Sequence, residues 1–309
     1  MKVAIFGGTG FIGKNLVEEL LGYGYQVSIV TRSLDKAEEF LAKNAQGKET
    51  KAVKWDPSLP LSSVSELKDT EVIVNLAGES IGSRRWTDSV KQEILDSRVR
   101  ITQAIVSAIN DGYIQPHVFI NASAVGYYGP SGDTAINESA AVGGDFLAQV
   151  CQAWENEANQ VKNSGTRVAT LRTGLVLGTE GALNKMLLPF KLYLGGPLGS
   201  GKQWLSWIHI KDLTHLIKYI IEDRELSGPV NGTAPVPVTM KTFCSSLGEV
   251  LERPSWLPVP ELALKAVLGQ MSEMLLHGQR AIPQKALSAG FEYLFPDLKL
   301  ALEDVLIRA

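Results

Sequence analysis

The chain opens with the stretch Lys2-Val3-Ala4-Ile5-Phe6-Gly7-Gly8-Thr9-Gly10-Phe11-Ile12-Gly13, in which a short apolar run leads directly into glycines spaced three apart. Gly7 lets the backbone leave a strand through angles that a side chain would forbid, Gly10 lets the backbone approach a pyrophosphate, and Gly13 lets a helix pack against the strand. The N–H groups and positive dipole end of a helix from about Thr9 would then face phosphates. The stretch predicts a dinucleotide-binding turn, with a plain tight turn as the alternative.

The residues that follow supply the context that such a turn requires. A second apolar strand is predicted at Gln26–Thr31. Between the two strands, apolar residues recur at the spacing of an amphipathic helix. These residues are Phe11, Ile12, Leu16, Val17, Leu20 and Leu21.

Further apolar runs alternate with helical patterns along the chain. Strands are predicted at 52–55, 71–78, 115–123 and 167–172, and helices at 34–44, from a Thr87 cap to 110, and at 145–163. Strands without polar alternation belong to a parallel sheet that is covered on both faces. With right-handed crossovers, the sequence predicts an α/β fold, a Rossmann-type doubly wound parallel sheet of six strands.

The pattern loosens after Thr173. Glycines crowd 174–201 around one predicted helix at 182–194, which we interpret as an insertion over the cofactor crevice. A strand at 204–210, a helix at 211–222 and a short strand at 230–234 are predicted next, and helices separated by prolines fill the tail. We therefore expect a dinucleotide-binding domain of residues 1–177 and 205–233, and a smaller α-rich substrate lobe of residues 178–204 and 234–309.

Composition narrows the class of partner. The 309 residues carry a formal net charge of −3, so charge does not indicate nucleic-acid or membrane binding, and a small molecule is the expected partner. Cys151 and Cys244 stand far apart, without zinc-ligand spacing, which argues for a reducing compartment and against a metal site. No apolar run approaches the ~18 residues of a membrane span, and we expect a cytoplasmic location or an equivalent compartment.

The sequence resembles the extended short-chain dehydrogenases/reductases of the NAD(P)-dependent epimerase/dehydratase superfamily, and within them the subgroup called epimerase family proteins. The resemblance extends over nearly the whole chain. It rests on the glycine turn and on six further motifs: Asn75-Leu76-Ala77-Gly78-Glu79-Ser80-Ile81, Ser123-Ala124-Val125-Gly126-Tyr127-Tyr128-Gly129, Arg172-Thr173-Gly174-Leu175-Val176-Leu177-Gly178, Ser206-Trp207-Ile208-His209-Ile210, Asn231-Gly232-Thr233-Ala234-Pro235 and Gly278-Gln279-Arg280.

The resemblance implies where a nicotinamide dinucleotide binds. Leu76, Ala77 and Gly78 correspond to the backbone beneath its ribose and pyrophosphate, and Arg172, Gly174 and Leu175 to the stretch that meets the nicotinamide end. A strand-end turn and a surface ion pair are the alternatives for these two stretches. The remaining expected cofactor contacts are Gly7, Thr9, Gly10, Phe11, Ile12, Gly13, Thr31, Arg32 and Ser33.

The end of the second strand favours NADP(H) over NAD(H). NAD enzymes usually place Asp or Glu there, where the carboxylate accepts from the adenosine ribose. This chain has Thr31-Arg32-Ser33 instead. A guanidinium can fork to a 2′-phosphate, with the hydroxyls as further donors. A solvated surface arginine is the alternative for Arg32.

The catalytic residues depart from the family pattern. In the related enzymes a Ser orients the substrate oxygen, and a Tyr with a Lys four residues later relays the proton, the Lys lowering the phenol's pKa from its usual ~10. Ser123 fits the first role, but Leu147 and Cys151 stand where Tyr and Lys belong. Tyr127 and Tyr128 are the nearest phenols in sequence, so we name Ser123, Tyr127 and Tyr128 as candidate catalytic residues, with packing roles as the alternative.

Other polar and aromatic residues are candidates for the substrate side. Arg84 suggests an anionic substrate, although a solvated pair with Arg85 explains it equally. His209 is more often a structural histidine, and core packing is an equal alternative for Trp207. The expected substrate contacts are Glu79, Arg84, Trp207 and His209, and no cluster of residues suggests a metal.

Two functions of different classes follow. The first is an NADP-dependent oxidoreductase or epimerase-like enzyme acting on a small carbonyl or sugar-like substrate. The second is a non-catalytic NADP(H)-binding sensor that reports to a partner, with a link to cell division suggested by the labels of some relatives. The missing Tyr-Lys pair favours the sensor, whereas the 174–210 segment and the tail favour a substrate pocket. The substrate and the oligomeric state cannot be read from the sequence.

Overall fold

The computed structural model describes residues 1–45, 47–162 and 165–307. Its strands are β1 (Lys2–Phe6), β2 (Gln26–Thr31), β3 (Thr50–Lys54), β4 (Val72–Asn75), β5 (Val118–Ala124), β6 (Ala135–Ile136), β7 (Arg167–Thr173), β8 (Leu175–Leu177), β9 (Trp204–Leu205), β10 (Trp207–His209), β11 (Gly228–Gly232), β12 (Val238–Thr239) and β13 (Arg280–Ala281). Its helices are α1 (Phe11–Gly22), α2 (Leu34–Asn44), α3 (Asp88–Asn110), α4 (Phe146–Ala158), α5 (Ala182–Lys191), α6 (Ile210–Glu222), α7 (Met240–Leu251), α8 (Glu261–Leu268), α9 (Glu273–Leu276), α10 (Gln284–Ser288) and α11 (Leu298–Ile307).

The central sheet is parallel and doubly wound, as the sequence predicted. Within the described ranges it has seven strands in the order β11-β7-β5-β4-β1-β2-β3. The chain runs outward from β1 to β3 on one side and from β4 to β11 on the other, so the winding reverses between β1 and β4. Ligands of such sheets bind at the carboxyl ends of the strands beside that reversal. The seventh strand, β11, is the short strand expected near 230–234.

Elements with clear caps begin where the sequence places them. Thr87 Oγ1 accepts a hydrogen bond from the Val90 amide at the start of α3, and Asp145 does the same for Ala148 at the start of α4. Such caps satisfy amides that have no partner within the helix. The bounds of α2 and β2 agree with the prediction as well.

Two helices end earlier than predicted, α4 because of a tertiary contact and α5 because of a local turn. Helix α4 ends at Ala158, since the next residues bond to the end of α3: Gln160 O accepts from Asn110, and Lys162 N donates to Asn110 Oδ1. The predicted end of α4, Asn163, lies outside the described residues. Helix α5 ends at Lys191, because Tyr193 turns into the left-handed region at φ +63.

The predicted strand at 204–210 is divided in two at Ser206. The Ser206 hydroxyl donates to Gln279 O and accepts from Ala281 N, and its backbone carbonyl accepts from Leu175 N. These bonds turn the chain between β9 and β10. Strand β10 then runs directly into α6 at Ile210.

Apolar side chains fill both faces of the sheet. Val3, Ile5 and the buried residues of α1 and α6 form the core on one face, and Ala4, Phe6 and the buried residues of α3 form the core on the other. A third cluster joins β8, β10, α5, α7 and α11, so the C-terminal helical region packs with the 175–207 segment. The division into two domains stays a prediction.

The C-terminal region is also tied to the sheet by a buried carboxylate. Asp212, near the start of α6, accepts from the amides of Leu294 at 2.7 Å and Phe295 at 3.0 Å.

No helix in the described part of the chain combines the length and the apolar character that crossing a bilayer requires.

Candidate functional site

The glycine turn at the end of β1 has a shape that other residues would disturb. Gly7 has φ +81, and a Cβ on it would lie 2.9 Å from the Leu76 carbonyl carbon. A Cβ on Gly13 would lie 2.3 Å from Gly7 O, so α1 approaches the strand within reach of glycine alone. A Cβ on Gly10 would meet only Gly7 O, at 3.3 Å, which leaves space above the turn.

The start of α1 is open to a ligand. Gly10 caps the helix without a side-chain hydrogen bond, so its first amides are available to an anion. The side chains and backbone around this end are partly or fully exposed, while Gly13 is buried. Gly10 is exposed, and Thr9, Phe11 and Ile12 are partly exposed.

Buried asparagine side chains hold the loop after β4 in place. Asn75 Nδ2 donates to Asn121 Oδ1 at 2.8 Å, and Asn75 Oδ1 accepts from the Ala77 amide at 3.2 Å. Leu76, Ala77 and Gly78 therefore pass along the carboxyl edge beside the glycine turn. Sequence reasoning missed the role of Asn75, whose signal is an amide at the end of an otherwise apolar strand.

Arg32 stands exposed at the end of β2. Its side chain is 75% exposed, and its Nη2 lies 3.5 Å from Glu79 Oε1. Thr31 Oγ1 and Ser33 bond to each other across the same turn. An ion pair between exposed groups contributes only about 0–1 kcal/mol, so Arg32 is available to another anion.

Ser123 lies in a buried ionic network. Its Oγ donates to Glu155 Oε1 at 2.6 Å. Glu155 also accepts two bonds of 2.8 Å from Arg172, through Nε and Nη2. All three side chains are buried. Arg172, expected at the cofactor, thus holds α4 against β7, and its place at the nicotinamide stays a prediction.

Glu155 was not among the candidates from the sequence. Its signal was weak, because a single Glu near the end of a helix is usually exposed. Burial by itself lowers the pKa of Arg172, but the hydrogen bonds and the charge of Glu155 reverse this and raise the pKa above its usual value. Arg172 therefore carries its full positive charge at neutral pH.

The two adjacent tyrosines have different surroundings. The Tyr128 hydroxyl is buried, donates to Asn231 Oδ1 at 2.7 Å and accepts from Arg172 Nη1 at 3.0 Å. Burial raises the pKa of Tyr128 to about 12. Tyr127 is half-buried, and its ring centroid lies 3.5 Å from Arg172 Cζ. In the described part of the chain, no group hydrogen-bonds to the Tyr127 hydroxyl.

Leu147 and Cys151, which stand where the usual Tyr and Lys belong, lie against the segment that carries Ser123 and the two tyrosines. Leu147 Cβ would be 3.5 Å from a Cβ on Gly126, so Leu147 lies against the loop that carries the tyrosines. Cys151 is buried beside Ser123 and the Ala124 amide, and burial raises the pKa of its thiol to about 11. Neither side chain carries a proton or a charge suited to the relay.

The expected substrate residues lie in three places. Glu79 is beside Arg32, and Arg84 is exposed and paired with Glu93 at the start of α3. Trp207 is 1% exposed, and its Nε1 donates to Val236 O within the third core cluster. The structure does not bring Trp207 to an open surface.

His209 is likewise 1% exposed. Its Nδ1 accepts from the Lys211 amide and caps α6, and its ring stacks on Phe295 at 4.0 Å. Its Nε2 lies 3.3 Å from Asp304 Oδ2, without the alignment of a hydrogen bond. These contacts agree with the structural alternative for His209, and substrate contacts at His209 and Trp207 stay predictions.

The 178–191 segment lies across the glycine turn. Lys14 Nζ, on α1, is 3.4 Å from Glu180 Oε1, and Lys185 Nζ donates to Gly82 O at 3.1 Å. A Cβ on Gly178 would lie 2.4 Å from the Phe11 ring. The segment directly follows β8, and at the start of that strand the amides of Gly174 and Leu175 donate to Gly232 O and Ser206 O.

No group of three or more His, Cys, Asp or Glu side chains arranged to hold a metal ion occurs among the described residues. Besides the carboxylates of Glu79 and Glu155, which are paired with Arg32 and Arg172, the carboxyl edge presents hydroxyls, backbone amides and guanidinium groups as donors. Such donors suit a phosphorylated organic ligand.

Comparison with known proteins agrees with this geometry. The profile of the NAD dependent epimerase/dehydratase family matches residues 3–231, and that of a domain of unknown function (DUF1731) matches residues 259–305. The chain is 42% identical to the chloroplastic epimerase family protein SDR39U1 homolog of Arabidopsis thaliana, over 99% of this chain and 87% of that protein. It is 40% identical to the epimerase family protein YfhF of Bacillus subtilis, over 99% and 98%.

A solved structure of the human epimerase family protein SDR39U1 is also similar. The two chains are 35% identical, each is covered to 99%, and the TM-score is 0.87. The human protein was crystallised with NADPH.

Proposed function

The chain belongs to the NAD dependent epimerase/dehydratase family, and from this premise we propose that it is an NADP(H)-dependent oxidoreductase or epimerase-like enzyme acting on a small carbonyl or sugar-like substrate. The observation that carries the proposal is the exposed guanidinium of Arg32 beside an open glycine turn. Together they offer a dinucleotide one site for its pyrophosphate and another for an additional phosphate.

The cofactor preference follows from charge. Arg32 takes the place where an NAD enzyme has a carboxylate, and its weak pair with Glu79 opens at little cost. The NADPH in the human relative supports the same preference. Bound NADP(H) would supply the hydride, and the protein would supply position and electrostatics.

Tyr127 is the proton donor in this proposal. Its hydroxyl is free among the described residues, whereas the Tyr128 hydroxyl is held by Asn231 and Arg172. The Tyr127 ring lies on the Arg172 guanidinium, which stabilises negative charge on the ring when the phenol gives up its proton. This difference in hydrogen bonding supports Tyr127 over Tyr128, which the sequence left equivalent.

A non-catalytic NADP(H) sensor is the second candidate. The observation that favours it is the pair Leu147 and Cys151, which replaces Tyr and Lys, together with the Ser123 hydroxyl already donated to Glu155. A sensor would keep the nucleotide site and need no proton donor. In either case we propose a location in the cytoplasm or an equivalent compartment.

Nucleotide titration tests the proposal. The unmutated protein is expected to bind NADPH more tightly than NADH, measured by calorimetry. Arg32→Glu should weaken NADPH by about 10- to 100-fold, since hydrogen bonds to a charged group contribute about 1.5–3 kcal/mol, and should leave NADH nearly unchanged. Arg100→Glu is the control, because Arg100 is an exposed, ion-paired arginine on α3.

Equal affinity for both nucleotides in the unmutated protein would contradict the cofactor assignment. A metabolite screen with NADPH consumption as the readout then separates the two candidates. Turnover supports the enzyme. Tight NADPH binding without turnover on any carbonyl compound, with a partner whose affinity changes with NADPH, supports the sensor.

A further inference from the structure

The carboxyl edge between β4 and β5 lacks the lysine that related enzymes place on the helix corresponding to α4. Cys151 occupies that position, and its buried thiol is neutral because desolvation raises its pKa. Arg172 is close, but its charge is matched by the two bonds to Glu155. The cofactor end of the site therefore needs another source of positive charge if it follows the family's electrostatics.

Arg98, on α3, lies near the carboxyl ends of β4 and β5, on the side of the loop after β4. Its Cζ lies 5.1 Å from the ring centroid of Trp154, which is one helical turn after Cys151. A Cβ on Gly78 would lie 3.0 Å from Arg98 Cζ, so the guanidinium packs directly against the loop after β4. A side chain at position 78 would push the guanidinium away from this place.

The charge of Arg98 has no matched counterion in the described part of the chain. No carboxylate there lies within 4.0 Å of it, and its recorded hydrogen bond goes from Nη1 to Ile94 O, on its own helix. Burial lowers the pKa of Arg98, and Glu79 opposes this only through longer-range electrostatics. A partly buried guanidinium with unused donors is costly unless an acceptor arrives.

We propose that Arg98 supplies from α3 the positive charge that a lysine supplies from α4 in related enzymes, and that its free N–H groups donate to oxygen atoms of the bound dinucleotide beside Gly78. This rests on the proposed NADP(H) binding. Arg98 is a cofactor-binding residue that sequence reasoning missed, because an arginine within a long helix is ordinarily a solvated residue.

Paired substitutions on α3 test the assignment. Arg98→Met keeps the length and the apolar contact with Trp154 but removes the donors, and we expect NADPH affinity to fall about tenfold or more by fluorescence titration. Arg100→Met is the matched control, two residues along the helix, exposed and paired with Asp96 at 2.8 Å, and should change affinity less than twofold. Adding Cys151→Lys to Arg98→Met returns a cation to the usual position and should recover part of the loss.

Thermal unfolding with and without NADPH separates binding from folding. If Arg98 only packs against Trp154 and Gly78, its substitution lowers the melting temperature of the free protein but leaves the NADPH-induced rise unchanged, and the proposal is overturned. If Arg98→Met does not fold, Arg98→Gln takes its place with the same expectation. Failure of the unmutated protein to bind NADPH would instead remove the proposed function.

Discussion

Glu155 holds Arg172 through two hydrogen bonds of 2.8 Å, with both side chains buried between α4 and β7. Removing one partner of a buried pair leaves an uncompensated charge and typically costs about 3–5 kcal/mol. We therefore expect Glu155→Ala to lower the free energy of unfolding by that amount, measured by urea denaturation followed by circular dichroism.

The exposed pair Arg84–Glu93 provides the control, because Glu93→Ala should cost at most about 1 kcal/mol. Replacing both partners of the buried pair, with Glu155→Leu and Arg172→Met, should recover much of the loss. If Glu155→Ala and Glu93→Ala lowered the free energy of unfolding equally, the buried pair would contribute no more to stability than the exposed pair.

The glycines of the turn should separate binding from folding. Gly10 has φ −79 and ψ 172, angles open to any residue, and its Cβ would meet only Gly7 O at 3.3 Å. Gly10→Val should therefore fold like the parent by circular dichroism but lose NADPH binding, since its side chain would occupy the space of the pyrophosphate. Intact binding would mean that the glycines form only a turn.

Gly13→Ala should do the opposite. Its Cβ would lie 2.3 Å from Gly7 O, so α1 must move away from β1, at a cost of about 1–3 kcal/mol or more. Urea denaturation measures this cost. A stability equal to that of Gly10→Val would contradict the close approach.

Substitution of Tyr127 should reduce turnover, whereas substitution of Tyr128 should reduce stability. Tyr127→Phe keeps the ring on Arg172 and removes the proton, so turnover should fall about 10²–10⁴-fold with NADPH affinity and stability unchanged. Tyr128→Phe removes the hydrogen bond to Asn231 Oδ1 and leaves Arg172 Nη1 with only the Glu138 carbonyl as acceptor, so it should lower stability by about 1–3 kcal/mol. If Tyr127→Phe retains full turnover on a substrate found by the screen, the proton donor lies elsewhere.

His209 should make stability depend on pH. Burial lowers its pKa to about 4, although the nearby Asp304 opposes this and Lys211 reinforces it. Between about pH 6.5 and 4 the unfolded chain binds a proton at this residue that the folded chain does not. Stability is therefore complete above pH 6.5 and falls as the pH drops toward 4, by up to about 3 kcal/mol.

His209→Asn retains a capping side chain and should flatten this dependence, measured as urea midpoints across pH 4–7. His277→Asn, at an exposed position, is the control. An unchanged slope in His209→Asn would mean that other groups cause the acid sensitivity.

The secondary structure was predictable wherever a local signal exists. The Thr87 cap, the glycine turn and the unalternating strands each act over a few residues, and the doubly wound sheet follows from them. The lengths of α4 and α5 were overestimated. The Asn110 contacts that end α4 join residues far apart in sequence, and α5 ends at a left-handed Tyr193, a conformation that a tyrosine does not signal.

The site was predictable in position but not in its partnerships. Ser123, Tyr128 and Arg172 do meet at the carboxyl edge, yet the carboxylate that joins Ser123 to Arg172, Glu155, lies 32 and 17 residues from these two partners. Burial of Trp207 is a property of the assembled core and has no signature in its own segment. Arg98 was missed for the same reason, since the Gly78 that admits it lies on another element.

The 178–191 segment is attached to the rest of the protein more weakly on the side of the glycine turn than on its opposite side. Toward the turn it is held by the surface contacts Lys14–Glu180 and Lys185–Gly82, which contribute little, and by the packing of Gly178 against the partly exposed Phe11 ring. On its far side, Leu183 and Phe190 are buried in the third core cluster. We therefore expect the near side to lift more readily than the far side, and we expect added salt, which screens the Lys14–Glu180 pair, to speed entry and release of a nucleotide alike. Exchange kinetics would then respond to two surface lysines, and equilibrium affinity to the glycine turn and Arg32.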